Sequence, residues 1–405
     1  FLTADLFNLF VFFEVLLAAS YGLALYGSGA RRVGAGLHYI VVNLVASLLF
    51  LVGVSLIYGV TGTLNMAALA RLVPALPAHT RALLHAGAAL TGTAFLIKTA
   101  FWPLGFWLPR TYAATLPSAA ALFALMTKVG VYVLLRLSLL VFGAAAGASA
   151  GFGADWLLWG GALTIAFGML GMLGARDLGR LAGFNVVVSS GTLLAATGLG
   201  GEAVIRGALA YLVISSLAIA ALFLVAGLIA PEAEEEGEEA LLLEPYEQHG
   251  VASANEGLYA QEDESRVVLS APAAMLALSF FLCALLLAGL PPLTGFLAKF
   301  ALLAPMLAEG LPGGARVLFA LLIATGFATV IAMCRAGIQI FWAEGERLVA
   351  RVSLLEAGAI ALLLGACLAL TIAAEEPLGY LGATAAELHQ ATHYIDAVLG
   401  PEARP

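Results

Sequence analysis

Apolar residues run along this chain in long unbroken stretches, separated by short polar segments. Ten such runs are read, near residues 6–26, 37–60, 82–108, 117–141, 154–174, 181–199, 203–229, 269–308, 315–342 and 352–374. A run of about 20 apolar residues is long enough to cross roughly 30 Å of hydrocarbon as a helix. Backbone in lipid must satisfy its own hydrogen bonds, so spanning helices are expected. The runs are continuous rather than alternating, which excludes an outer-membrane barrel. An all-α polytopic membrane protein of about ten transmembrane helices is therefore predicted.

Two runs are irregular. The third, 82–108, contains Lys98 and then "WPLGFWLP", with Pro103 and Pro109. The eighth, 269–308, is too long for one crossing and is split by "GLPPLTG", with Pro291, Pro292 and Gly295. Proline removes a helical donor and clashes with the preceding turn. Such breaks are tolerated at membrane depth where they line a cavity or pack against protein. The broken runs stand five apart, so a second copy of the unit would enter the membrane from the opposite side. Paired broken helices in an inverted repeat point to a transport site.

Composition confirms the class and moves the charge to one place. Of 405 residues 62% are hydrophobic and 11% charged, against about 25% charged in a soluble domain. The net charge of −8 comes from one segment: 12 of the 26 acids lie between Glu232 and Glu264, which holds no Lys or Arg. The remainder carries 14 acids against 18 bases. Four regions follow: a first membrane region over 1–230, an acidic loop over 231–267 of solvated, disordered character, a second membrane region over 268–375 and an extramembrane tail over 376–405. Arg31, Arg32, Arg110, Arg176, Arg180, Arg266, Arg347 and Arg351 fall in one set of loops, and Arg71, Arg81, Arg206 and Arg316 in the other. The bias makes the first set, with the acidic loop, cytoplasmic. The chain opens without an initiator methionine or a signal-peptide n-region, and reads as a fragment beginning at the foot of a helix. Cys283, Cys334 and Cys367 show no metal-ligand spacing or disulfide framework. No cofactor, metal or nucleic acid is called for.

The candidate chemistry is the set of charges inside the spans. All three lysines, Lys98, Lys128 and Lys299, lie in apolar stretches, whereas every loop cation is arginine. Glu14 is the one acid deep within a span. Each charge costs about 3 kcal/mol at the bilayer centre, so four cost on the order of 10 kcal/mol. Arginine keeps its proton almost everywhere, while a desolvated lysine releases its proton readily. Retaining lysine only where the chain is buried selects the cation able to titrate, as a proton relay requires. His38 and His85 are auxiliary candidates, with hydrogen-bonded packing the plainer reading. Arg335 is expected to snorkel and Glu356 to be interfacial. Ser189, Ser190 and Thr192 are weaker water-holding candidates, because hydroxyls on membrane helices commonly bond their own backbone.

"FNLFVFFEVLLAASYGL", "LIKTAFWPLGFWLP", "ALFALMTKVGVYVLLR" and "AGLPPLTGFLAKF" resemble the antiporter-like subunit family. That family contains D subunits of Mrp-type cation/proton antiporters and large membrane-arm subunits of respiratory complex I. The resemblance covers most of the chain, starting at the fifth of the family's fourteen helices. It implies that Glu14 is the fifth-helix glutamate, Lys98 and Lys128 the seventh- and eighth-helix lysines, and Lys299 the twelfth-helix residue. "TKVGVYVLLR" and "YIDAVLG" look most like the D-subunit branch. A histidine found in many relatives is Gly105 here. The resemblance implies a multi-pass subunit of the bacterial inner membrane, moving protons against Na+ or K+ alongside other antiporter subunits and lipid. A proton-pumping subunit of a redox-driven complex, complex I or a membrane-bound hydrogenase, uses the same helices and stays open as the alternative. An integral-membrane enzyme is disfavoured, since no catalytic cluster is visible.

Overall fold

The structure, a computed structural model, describes residues 2–27, 29–229, 271–311, 313–342 and 352–400. The predicted acidic loop and Arg266, Arg347 and Arg351 lie outside the described residues. The helices are α1 (Leu6–Leu25), α2 (Ala30–Thr61), α3 (Met66–Leu72), α4 (Ala78–Lys98), α5 (Leu108–Ala114), α6 (Pro117–Leu140), α7 (Ala154–Gly174), α8 (Leu178–Leu199) and α9 (Glu202–Ile229). After the gap come α10 (Ala271–Ala288), α11 (Thr294–Ala308), α12 (Gly313–Phe341), α13 (Leu354–Ile372), α14 (Glu375–His389) and α15 (Ala391–Leu399). Among the described residues nine helices are long and apolar enough to cross a membrane. The third predicted run, 82–108, is not among the nine; it falls on α4, whose first half carries His79, Arg81 and His85.

Sequence signals set the helix ends. Asp5 accepts the Phe7 and Asn8 amides at the start of α1, and Asp177 accepts the Arg180 amide on α8. Ser353 and Glu356 form a capping box on α13. Between them, α8 lies at the centre of the bundle, buried almost throughout from Leu181 to Thr197, whereas α13 buries only Ile360, Leu364 and Cys367. The α7–α8 contact is backbone to backbone. A Cβ added at Gly161 would stand 2.6 Å from the Ala195 nitrogen and 2.8 Å from the Gly191 carbonyl. Small residues permit this close approach in lipid, where no hydrophobic force drives helices together.

The two breaks have one backbone design, related residue by residue at an offset of 189. Ala100 (φ +58°) matches Gly289 (φ +76°), and both precede a cis X–Pro bond, at Trp102–Pro103 and Pro291–Pro292. The Phe101 amide donates to Leu96 O at 3.0 Å, and the Leu290 amide to Leu285 O at 3.1 Å. This is the closing bond of a helix ended by a left-handed residue. Each break also gives an N–H to a neighbouring threonine, at positions that this offset does not relate: Trp102 to Thr164 Oγ1 at 2.9 Å and Thr294 to Thr371 Oγ1 at 3.1 Å. Buried backbone donors need partners, and α7 and α13 supply them. The predicted repeat is thus present at the level of single backbone groups, although the side chains at the breaks share little.

The described part of the predicted tail packs against the other helices. Helix α14 packs on α9 and α6, and α15 on α3. Leu135, Ile205 and Ala385 form a small core of their own. Arg136 holds the end of the tail: it donates to Thr3 O at 2.8 Å, bonds the Tyr394 hydroxyl, and stacks on the Tyr394 ring at 4.7 Å.

Candidate functional site

Lys98 is the last residue of α4, so the break begins at its own carbonyl. It is 7% exposed. Glu14 reaches towards it from α1, and Ser47 on α2 stands between them. The Ser47 hydroxyl donates to Glu14 Oε1 and accepts from Lys98 Nζ at 3.5 Å. The ammonium also lies 4.6 Å from the centre of the Phe13 ring, a favourable cation–π position. Glu14, Ser47 and Lys98 therefore form one group, with the serine as its bridge.

Lys128 sits mid-way along α6, 1% exposed, where it reaches two inner helices. Its Nζ donates to Ser189 Oγ on α8 at 2.6 Å, and that hydroxyl donates to Ser215 Oγ on α9 at 2.9 Å. Ser190, next along α8, is fully buried with no hydrogen-bond partner for its hydroxyl among the described residues.

Lys299, on α11, turns back across the second break. Its Nζ donates to the Leu287 and Ala288 carbonyls at 2.9 and 2.8 Å, the last carbonyls of α10. These form the negative end of that helix and otherwise lack intrahelical donors. A cavity of about 20 Å³ separates Lys299 from the Lys128 group; Ser215 and Lys299 are both among its lining residues. That is room for about one water molecule. Lys128, Ser189, Ser215, the cavity and Lys299 thus follow one another through the middle of the protein.

Between Lys98 and Lys128 the described residues show no comparable bridge. There α4 meets α6, with Phe95 and Thr99 against Gly130. His38 is exposed and bonds Gly34 O of its own helix at 3.0 Å. His85 bonds Ser149 Oγ at 3.0 Å and stacks on Phe152 with centroids 4.2 Å apart. Among the described residues neither is hydrogen-bonded to a lysine. Arg335 donates to Leu173 O and Ala175 O at the end of α7, each at 2.7 Å. Among the described residues no cluster of His, Cys, Asp and Glu has metal-binding geometry.

The bridging hydroxyls, Ser47 and Ser215, were not legible in the sequence, and Ser189 only weakly. Serines are common in membrane helices, and nothing in the spacing separates one that bonds its own carbonyl from one that faces a lysine.

Comparison with known proteins gives the lineage. The family model "NADH:quinone oxidoreductase/Mrp antiporter, TM" matches residues 3–331. The chain is 51% identical over 409 residues to the D subunit of a probable K(+)/H(+) antiporter of Rhizobium meliloti (strain 1021), covering 98% of this chain and 74% of that protein. It is 35% identical over 406 residues to the D subunit of the Na(+)/H(+) antiporter of Alkalihalophilus pseudofirmus, covering 98% of this chain and 75% of that protein. Among solved structures it superposes on a chain of the Mrp complex from Dietzia sp. DQ12-45-1b with a TM-score of 0.77 at 28% identity, covering 98% of this chain and 77% of that one. These matches, the apolar spans and the paired breaks lead to one conclusion: the chain belongs to the NADH:quinone oxidoreductase/Mrp antiporter family of multi-spanning membrane subunits.

Proposed function

We propose that this chain is the proton-translocating subunit of a multisubunit Na+ or K+/proton antiporter in a bacterial plasma membrane, and that Glu14, Lys98, Lys128 and Lys299 carry the proton. The relatives named as antiporter D subunits support the coarse reading. The observation that carries the finer one is the set of polar partners at the three buried lysines: Ser47 and Glu14, Ser189 and Ser215, and the open carbonyls of α10. A lysine that must both hold and release a proton needs an acceptor near it in each state. Hydroxyls serve because they donate and accept in turn.

In this mechanism the Glu14–Ser47 unit holds the proton on Lys98. Weakening that unit favours release towards Lys128, and Lys128 passes charge through Ser189, Ser215 and one cavity water to Lys299. The step between Lys98 and Lys128 crosses the Thr99–Gly130 contact and requires the lysine side chain to swing or water to enter at the break. A full elementary charge crossing the membrane is worth about 2.3 kcal/mol per 100 mV. Tenfold changes in proton occupancy cost about 1.4 kcal/mol each, so rearranging one or two hydrogen bonds to charged groups gates such a step. The loops carrying Arg31 and Arg32 face the cytoplasm in this reading, together with residues 231–267.

Replacing Lys98 separates titration from fixed charge. Lys98→Arg keeps a cation beside Glu14 but holds its proton too tightly to release it. Proton flux in vesicles containing the assembled complex should fall in Lys98→Arg about as far as in Lys98→Ala. An assembled Lys98→Arg complex with flux near wild type would show that Lys98 is a structural charge.

A further inference from the structure

We propose that Tyr211 is a second exit for the proton held at Ser189, parallel to Ser215, so that the path from Lys128 divides before it enters the cavity. The proposal rests on the relay reading and adds to it a branch point and a residue outside the four charges.

The branch follows from where the hydroxyls stand. Ser189 and Thr192 lie about one turn apart on α8, and Tyr211 and Ser215 about one turn apart on α9. All four residues are buried. Tyr211 and Ser215 line the cavity beside Lys299, whereas Ser189 and Thr192 do not. Ser189 donates to Ser215 Oγ at 2.9 Å. It is also, with Thr192, a side-chain hydrogen-bond partner of the Tyr211 hydroxyl. Among the described residues that line the cavity, Ser215 and Tyr211 are therefore the two that the Ser189 hydroxyl meets.

Counting hydrogens fixes the directions. A hydroxyl has one hydrogen to give and two lone pairs that receive. Lys128 Nζ donates to Ser189 Oγ at 2.6 Å and occupies one of its lone pairs. Thr192 gives its hydrogen to Val188 O at 2.9 Å, and Ser215 gives its hydrogen to Leu212 O at 3.3 Å. Both therefore face their other neighbours as acceptors. Tyr211 gives its hydrogen to Thr192 and has lone pairs open to Ser189. The single Ser189 hydrogen thus has two receivers, Ser215 and Tyr211, and serves one at a time. When the Lys128 ammonium passes a proton to Ser189 Oγ, an N–H bond breaks and an O–H bond forms. The hydrogen that Ser189 already held moves to Ser215 or to Tyr211. The receiving hydroxyl hands its own hydrogen to the cavity water, which passes one on to Lys299. One proton leaves Lys128 and one reaches Lys299, and every hydroxyl and the water keep the hydrogen count with which they began. Each branch opens by one rotation: Ser215 turns its O–H from a backbone carbonyl, and Tyr211 turns its O–H from Thr192. A phenol releases hydrogen more readily than an alcohol, so the Tyr211 branch is not a copy of the other.

The test is a double-mutant cycle on the whole complex, read as proton flux in everted vesicles and normalised to assembled complex. Tyr211→Phe removes one oxygen and keeps the ring, and Ser215→Ala removes the other hydroxyl. Each alone should lower flux by about two- to threefold, and the pair by about tenfold more than the product of the two, since members of one network couple rather than add. Tyr211→Phe with Ser215→Thr, which restores a hydroxyl, should behave as Tyr211→Phe alone. Ser215→Cys keeps the size and weakens the hydrogen bond, and repeats the cycle should the alanine pair fail to assemble. Purely structural roles give losses that multiply. Losses that multiply, or a single change as severe as the pair, would overturn the branch. Lys128→Ala is the control for the relay itself. Wild-type flux in Lys128→Ala would remove the relay reading and the branch with it, whereas an inactive Lys128→Ala beside losses that multiply would remove the branch alone.

Discussion

Ser47→Ala removes one oxygen atom and tests the bridge between Glu14 and Lys98. The hydroxyl belongs to a residue 4% exposed and donates to the glutamate. A hydrogen bond to a charged group contributes about 1.5–3 kcal/mol. The Lys98 contact, at 3.5 Å, is at the outer limit of a hydrogen bond and adds little. Nearly the whole effect therefore falls on how Glu14 is held. A loss of about 1.5–3 kcal/mol corresponds to a factor of roughly 10 to 100 in an equilibrium between paired and unpaired states. The void left is smaller than a methyl group, so the helix contact between α1 and α2 persists and assembly is kept. Antiport, read as cation-induced dissipation of a pH gradient in everted vesicles, should fall about tenfold or more. Ser47→Thr, which restores the hydroxyl, should recover most of the rate. A Ser47→Ala complex that assembles and exchanges at the wild-type rate would refute the bridge and leave Glu14 and Lys98 as independent charges.

Glu14→Ala should abolish antiport with assembly intact, since among the described residues it is the acid that reaches Lys98 through Ser47; normal exchange in the assembled variant would remove it from the relay. Gly289→Ala puts a Cβ 2.6 Å from Lys299 Cδ at φ +76°, and the left-handed conformation alone costs about 1–2 kcal/mol. It should lower the melting temperature of the purified complex, and an unchanged value would show that the break relaxes freely. Arg136→Ala should loosen α15, which buries no residue of its own; faster removal of the tail in limited proteolysis is the expected result, and wild-type resistance the contrary one. For orientation, a cysteine at the exposed Tyr26 should react with an impermeant reagent only in everted vesicles and one at Ala78 only in intact cells, and the reverse pattern would invert the assigned topology.

How much the sequence decides differs from one feature to the next. The spanning helices are determined locally. A run such as Ala154–Gly174 has one favourable state in lipid, because its backbone must bond to itself and its side chains are already compatible with hydrocarbon. The breaks are local in part: Pro103 and Pro292 each lack the amide hydrogen and crowd the preceding turn, which disfavours a continuous helix, although Pro305 is carried inside α11. The four intramembrane charges stand out for the same reason, since a charge in an apolar run is costly in any fold. Which groups answer those charges is not local. Ser47 lies 51 residues before Lys98, and Ser189 lies 61 after Lys128. Neither serine differs in its own helix from Ser55, which bonds Leu51 O. Only the approach of α2 to α4, and of α6 to α8, separates a hydroxyl that faces a lysine from one that faces lipid. The repeat shows the same division. Ala100 and Gly289 share a left-handed conformation that the side chain at Ala100 conceals, because that conformation is imposed by the chain reversal at the break and not by residue type. The residues lining the cavity at Lys299 come from α8, α9, α10, α11 and α12, separate stretches of chain. Their convergence is a property of the packed bundle, as each side chain is placed by where its helix crosses the others.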